Sequence, residues 1–382
     1  MKVVLTGGGT GGHIYPALSV AECLAGHELL YVGTAEGPEA QVVPRAGLPF
    51  RAIPSRKLSR RPTPGAVAAL AVSAWGVARA AALLRSWKPD VVLGTGGYAS
   101  AGVMFAAALL RIPTVVHEAN VVPGRVNRLL AALCTRVAVT YPASARYFPE
   151  SKTVVTGLPV RPELRNADPA RARKEYGLAP NVPTLLISGG SGGAQTLNRA
   201  VLEALPELAR RGLRIVHQTG KSQFQSVREM AGDTYSASYR PVPYVEDMPS
   251  LLAAASLIVC RGGSSTLAEV TAVGLPAIVV PYPYAVADHQ TSNAAALAEA
   301  GAGIMVRDAE FDGRRLVREV DALLGDPARL EQMRHASRGL GRPDAAREVA
   351  DLLRDVAAGR SRQAERSATD RTSTGSEGAM GS

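Results

Sequence analysis

His13 stands at the end of the stretch "LTGGGTGGH", where an apolar run gives way to a helix-like one. Histidine is the side chain best matched to proton transfer near neutral pH, and a base at a helix mouth can reach a bound hydroxyl. The structural alternative is a polar histidine that caps the helix. Gly7, Gly9 and Gly12 formally fit G-x-G-x-x-G. A dinucleotide site, however, also needs an acid at the end of the second strand, and "YVGTAE" presents Gly33 and Thr34 there, with only Glu36 beyond. A P-loop is excluded as well, because "TGKS" at 219–222 lacks the required upstream glycine. What remains is a turn whose backbone N–H groups can face negative charge at a helix N-terminus.

Further polar turns follow the same pattern. "GTGGYAS" (94–100) and "HEAN" (117–120) each end an apolar strand, the latter with Glu118 and Asn120. "GGSGGA" (189–194) offers Ser191 and backbone donors to a phosphate. "RGGSSTLAE" (261–269) places Glu269 one turn into a helix, where a carboxylate can accept from both hydroxyls of a ribose. "DHQTSNA" (288–294) adds Gln290. Each alone is a common strand-to-helix turn, but their concentration in both halves of the chain points to a ligand site. No Asp-x-Asp metal motif occurs, and Cys23, Cys134 and Cys260 lack the spacing of a zinc site or a disulfide framework. We expect no metal and no cofactor.

The elements that must position these residues are short β-branched strands alternating with Ala- and Leu-rich helices, the pattern of parallel βαβ units. Strands are expected at 2–6, 28–33, 49–54, 90–95, 113–118, 136–140 and 152–157, then at 183–190, 214–220, 256–263 and 276–283. "VLTGGGTGGH" and "LISGGSGGA" echo each other. The fold class expected is α/β, with two Rossmann-like doubly wound parallel-sheet domains facing a cleft. A chain of 382 residues is long enough for two cores. We place the domains at 1–160 and 161–340, with a helix at about 342–358 packing back on the first. The tail 359–382 is too polar to offset its ordering entropy and is expected to be disordered.

Charge is uneven. Residues 1–160 carry 16 Lys+Arg against 7 Asp+Glu, while the rest is nearly balanced. The excess suits an anionic partner, and without a basic-aromatic RNA motif, zinc finger or helix-turn-helix we expect no nucleic acid. The segment 66–87 has Arg79 in its middle and much alanine, so it is not expected to span a membrane. Two readings stand for it: a buried helix, or one lying on an anionic bilayer with Trp75 and Trp87 below and Arg56, Lys57, Arg60 and Arg61 at the headgroups. The start "MKVVLTGGG" has no apolar signal region, and an intracellular protein is expected.

In "GGGTGGHIYPALSVA", "GTGGYASAG", "HEAN", "PGRVNRLLA", "TGLPVR", "GGSGGAQTLN", "PYVEDMPSLLAAASLIVCRGGSSTLAE" and "DHQTSNA", taken in order, the chain resembles the MurG family of bacterial peptidoglycan N-acetylglucosaminyltransferases from Met1 to about Ala358. The resemblance implies a GT-B fold and inverting transfer of N-acetylglucosamine from UDP-N-acetylglucosamine to lipid I, giving lipid II. It also implies work at the cytoplasmic face of the membrane as a peripheral protein. By the same resemblance Thr10, Gly11 and Gly12 line the donor sugar and diphosphate, Asn120 contacts the sugar, and Arg161 and Ser191 meet the diphosphate. The backbone at Val245 meets the uracil, and Gly263, Ser264, Ser265, Thr266 and Leu267 wrap phosphate and nucleoside. Glu269 takes the ribose and Gln290 the sugar hydroxyls, and His13 is the implied base with Glu118 its competitor. Ala119, Leu158, Gly192 and Gly262 depart from the family's usual Gln, Asn, Gln and Ser. The alternatives weighed are a nicotinamide-dependent reductase, another GT-B enzyme such as a diacylglycerol glycosyltransferase or a UDP-sugar epimerase, and a non-enzymatic scaffold.

Overall fold

The computed structural model describes residues 1–56, 64–234 and 237–374. The chain divides into two compact units: 1–119, 123–161 and 344 onward form one, and 120–122 with 162–343 form the other.

The first unit is built on β1 (Lys2–Thr6), β2 (Glu28–Gly33), β3 (Phe50–Ala52), β4 (Val91–Gly94), β5 (Thr114–Glu118), β6 (Arg136–Val139) and β7 (Thr153–Val155), all parallel in the order β3-β2-β1-β4-β5-β6-β7. Its central strands are continuous apolar runs because helices cover both faces. Val3 and Leu5 pack on one side with Ile14, Ala17 and Val20, and Val4 on the other with Ala80, Leu84 and Met104. The helix Ala345–Thr374 adds Val349, Leu353 and Val356 to the first of these clusters. It continues beyond the point where the composition leads us to expect order to end. The stretch 360–374 contains no glycine or proline, and its four arginines and two alanines are good helix formers. Residues 375–382 lie outside the described residues.

The second unit repeats the pattern with β8 (Thr184–Ser188), β9 (Arg214–Gln218), β10 (Tyr239–Val242), β11 (Leu257–Cys260), β12 (Ala277–Val279) and β13 (Gly303–Met305), in the order β10-β9-β8-β11-β12-β13. Sequence patterning misses β10 and β13. Both are edge strands, β10 carrying Pro241 and β13 only three residues long, so neither has the buried apolar run that marks a central strand.

In each sheet the strand order reverses once, between β1 and β4 and between β8 and β11. The turns that follow these four strands, at 7–10, 95–97, 189–194 and 261–263, therefore lie at the carboxyl-end switch points, where open α/β sheets bind ligands.

Candidate active site

The switch point of the first unit is two glycine turns pressed together. The Gly8 N–H donates to the Gly96 carbonyl at 3.3 Å. Gly96 and Gly97 hold φ of 106° and 85°, values that glycine alone adopts without strain. A Cβ at Gly97 would lie 2.2 Å from the Gly8 carbonyl oxygen, so close approach as well as φ requires glycine there.

His13 sits in the first turn of the helix Gly11–Glu22, half-buried against these turns. Its Nδ1 lies 3.1 Å from the Gly8 carbonyl oxygen and 3.4 Å from Thr10 Oγ1. A carbonyl can only accept, so Nδ1 carries the proton in that bond, and in the neutral ring Nε2 is the basic nitrogen. The backbone at His13 is held by Thr95, whose hydroxyl donates to the His13 carbonyl at 2.6 Å.

Glu118, at the end of β5, is buried, and its Oε2 accepts from Asn127 Nδ2 at 2.8 Å and from the Gly124 N–H at 3.1 Å. Asn127 also donates to the His117 carbonyl at 3.2 Å. His13 and the Asn127 that binds Glu118 share one neighbourhood: a Cβ built at Gly96 would be met by His13 Nε2 at 3.2 Å and by Asn127 Nδ2 at 3.7 Å. Next to Glu118, His117 donates from Nε2 to the Gly157 carbonyl at 2.9 Å, leaving its buried Nδ1 without a partner. Burial lowers its pKa to about 4; the Gly157 bond opposes that shift and nearby His13 reinforces it.

A second carboxylate braces the first turn from below. Glu39 accepts from the Gly9 N–H and the Thr34 N–H, each at 3.1 Å, and from Thr34 Oγ1 at 2.6 Å. Burial alone would raise its pKa, but these bonds hold it below the usual carboxylate value.

In the second unit, the helix Ser264–Val273 starts at Gly263, directly after β11, so the N–H groups of its first turn point out of the switch point without intrahelical acceptors. The Ser265 hydroxyl is buried and unpartnered. Glu269 is buried one turn further on. Arg261 fixes the turn from the other side through an ion pair with Asp308 and a bond to the Val280 carbonyl at 3.1 Å. Ser191 lies exposed in the turn after β8. Val245 is buried, and its N–H donates to Gln218 Oε1 at 3.0 Å. Gln290, in the helix His289–Glu299, accepts the Tyr282 N–H at 3.0 Å.

Asn293 is fully buried and gathers this side together: it accepts from the Val121 N–H at 3.0 Å and donates to Asn120 Oδ1 at 3.1 Å and to the Gly262 carbonyl at 3.2 Å. Asn120 thus groups with the second unit, although it follows a strand of the first. Arg161, assigned by sequence to the second domain, groups with the first, its guanidinium 5.8 Å from the centre of the Tyr15 ring. Of the expected site residues, Thr10, Gly11, Gly12, His13, Glu118 and Arg161 belong to the first unit, and the others to the second.

Asn127, Asn293, Gln218 and Glu39 were not singled out by sequence. Each lies in or at the end of a helix or strand, and its residue type there carries no mark that separates it from a surface polar residue. The departures from the family pattern differ in consequence. A Cβ at Gly262 would lie 2.4 Å from the Gln290 carbonyl oxygen, so glycine lets that helix approach the turn, whereas Gly192 has open space around it. Among the described residues, no group of three or more His, Cys, Asp or Glu side chains is placed to hold a metal ion.

The glycosyltransferase family 28 N-terminal domain matches residues 3–139, and the family 28 C-terminal domain matches residues 184–349. A protein of Desulforudis audaxviator named UDP-N-acetylglucosamine–N-acetylmuramyl-(pentapeptide) pyrophosphoryl-undecaprenol N-acetylglucosamine transferase is 42% identical over 368 residues, covering 94% of this chain and 99% of its own. A protein of Moorella thermoacetica with the same name is 44% identical over 366 residues, covering 92% and 98%. The crystal structure of Acinetobacter baumannii MurG superposes with a TM-score of 0.75 at 30% identity, over 93% of this chain and 99% of that one. UDP-GlcNAc 2-epimerase of Neisseria meningitidis, at 18% identity and a TM-score of 0.65 over 93% of this chain and all of that one, shares the fold alone. With two doubly wound parallel sheets of matching order and relatives matched along nearly their whole length, the chain has the GT-B fold and belongs to the MurG family of N-acetylglucosaminyltransferases within glycosyltransferase family 28.

Proposed function

We propose that the chain is an inverting hexosyltransferase that moves N-acetylglucosamine from UDP-N-acetylglucosamine to the 4-hydroxyl of the N-acetylmuramoyl unit of lipid I, forming lipid II for peptidoglycan. The observation that carries the chemistry is the His13 Nδ1 bond to the Gly8 carbonyl, which leaves Nε2 as the basic nitrogen at the mouth of a glycine turn. Nε2 takes the acceptor proton as the acceptor oxygen attacks the anomeric carbon in line, through an oxocarbenium-like state. Glu118, its Oε2 engaged by Asn127 and Gly124, steadies this neighbourhood instead of acting as the base.

On the donor side, the first-turn N–H groups at Ser264, Ser265 and Thr266 receive the charge that develops on the departing diphosphate, as a helix N-terminus does for other anions. The unpartnered Ser265 hydroxyl supports this role. Gly263 and Leu267 flank the phosphate and nucleoside, Glu269 binds the ribose hydroxyls, Val245 meets the uracil, and Gln290 and Asn120 hold the sugar. Ser191, Arg161 and the Thr10–Gly12 turn complete the donor contacts.

The acceptor is a lipid, and among the described residues no helix is long and apolar enough to cross a membrane. The helices Pro64–Trp87 and Tyr98–Leu109 instead expose Leu70, Trp75, Phe105 and Leu109, with the Arg79 guanidinium 6.0 Å from the centre of the Trp75 ring. Exposed large apolar side chains beside a cation suit the surface of an anionic bilayer, and we read the protein as peripheral on the cytoplasmic face. Lys57, Arg60 and Arg61 lie outside the described residues.

The test is UDP release by purified protein supplied with UDP-N-acetylglucosamine, with and without a lipid I analogue. Release that requires the lipid supports the proposal. Transfer to diacylglycerol, or epimerisation of the donor without any acceptor, contradicts it.

A further inference from the structure

Gln218 closes β9 with its side chain buried between two turns of the second unit. Its Oε1 accepts the Val245 N–H at 3.0 Å, and its Nε2 donates to Ser188 Oγ at 3.4 Å. Ser188 Oγ in turn accepts the Gly190 N–H at 3.4 Å. One buried amide therefore joins the glycine turn after β8 to the segment that carries Val245. β9 pairs with both β8 and β10, so Gln218 stands at the carboxyl end of the sheet, directly opposite Ser188 and Val242.

We infer that Gln218 is a positioning residue that fixes the identity of the nucleotide base in the donor; this rests on the UDP-sugar reading above. With its N–H given to Gln218, Val245 offers a base its carbonyl. A carbonyl facing N3 accepts from N3–H of uracil but meets an acceptor in cytosine, whose only base-edge donor is the N4 amino group at the neighbouring position. The same amide holds the Gly190 turn through Ser188, so base selection and the diphosphate turn share one anchor. Removing the amide releases the Val245 N–H, lets that peptide rotate and offers the base a donor in place of an acceptor. Gln218 itself touches no reacting atom, so its loss weakens and blurs donor binding more than it slows the transfer.

The experiment compares the unaltered protein with Gln218→Met and Gln218→Glu, measuring KM for UDP-N-acetylglucosamine, kcat, and the inhibition constants of UDP and CDP. Gln218→Met keeps the length and removes both hydrogen bonds. It should raise KM about tenfold, as expected for a buried donor left unpaired, while kcat changes much less and the preference for UDP over CDP narrows by a similar factor. Gln218→Glu still accepts from Val245 and can receive the Ser188 hydroxyl, so it should retain the preference. Should Gln218→Met fail to fold, Ser188→Ala, which frees the far end of the amide, should narrow the preference in the same direction. An unchanged ratio of UDP to CDP inhibition in Gln218→Met, or in Ser188→Ala where that variant stands in, overturns the inference even if Tm falls, because a merely structural glutamine would lower Tm alone. Loss of the preference in Gln218→Glu to the same degree as in Gln218→Met also overturns it. If the unaltered protein binds UDP but does not distinguish it from CDP, the inference is overturned; if it binds neither UDP nor UDP-N-acetylglucosamine, the UDP-sugar reading fails and the inference with it.

Discussion

Asn127 Nδ2 lies 2.8 Å from Glu118 Oε2 and joins the helix Arg125–Leu133 to the end of β5. The Gly124 N–H donates to the same oxygen at 3.1 Å. Asn127→Ala should lower kcat about tenfold, the effect of one lost buried hydrogen bond to a charged group, with donor KM nearly constant. Steady-state kinetics at saturating donor checks it. Glu118→Gln can keep an acceptor oxygen for both donors, which share Oε2, and its activity should exceed that of a variant without His13.

Two buried histidines set the acid limit. Burial lowers His217 to about 3 and His117 to about 4, against 6.5 for the free side chain. His217 is satisfied as a neutral ring, with Nδ1 2.8 Å from the Tyr239 hydroxyl and Nε2 2.9 Å from Asn198 Oδ1. The unfolded chain binds protons at these sites first, so their contribution is complete above about pH 6.5 and is lost as the pH falls from there toward about 4. Urea unfolding monitored between pH 7 and 4.5 should show stability dropping by roughly 2 to 5 kcal/mol over that window. Flat stability across it would contradict the buried neutral assignment.

Glycines 97 and 192 should respond very unequally to the same change. Gly97→Ala meets both a positive φ and the Gly8 carbonyl, and should cost about 2 kcal/mol or more together with most activity. Gly192→Ala, with open space around it, should stay within about 0.5 kcal/mol. Thermal melts of the two variants provide the comparison.

Trp75 is exposed on the helix Pro64–Trp87. Trp75→Glu removes its apolar ring and adds a negative charge at the proposed bilayer face. It should weaken binding to vesicles containing anionic phospholipid several-fold, as expected from lost apolar burial and added repulsion. Turnover on a short-chain, water-soluble acceptor should be unchanged. Sedimentation with vesicles at two salt concentrations separates the apolar part from the charge part.

The central strands and the glycine turns of the fold were legible because burial on both faces writes an unbroken apolar run, and the turns punctuate it. Val3 to Leu5 and Leu185 to Ile187 show this in the two units. Edge strands such as β10, with Pro241, carry no such mark. Where a polar residue stands on or beside a glycine turn, as His13 and Ser191 do, the sequence marks it as a candidate. The site was not legible where a polar residue supports it from inside an element: nothing in "PGRVNRLLA" distinguishes Asn127 from a surface asparagine until its partners Glu118 and His117 are in place. The division at Asn120 was equally hidden, because its grouping depends on Asn293, distant in sequence.

The central claim is that His13 Nε2 receives the acceptor proton. The direct measurement is single-turnover transfer by His13→Ala, paired with the affinity of that variant for UDP-N-acetylglucosamine. Transfer slowed by about 100-fold or more, with donor affinity within a few-fold of the unaltered protein, is the predicted result for a general base. Transfer at the unaltered rate, or a loss explained entirely by weaker donor binding, would contradict it.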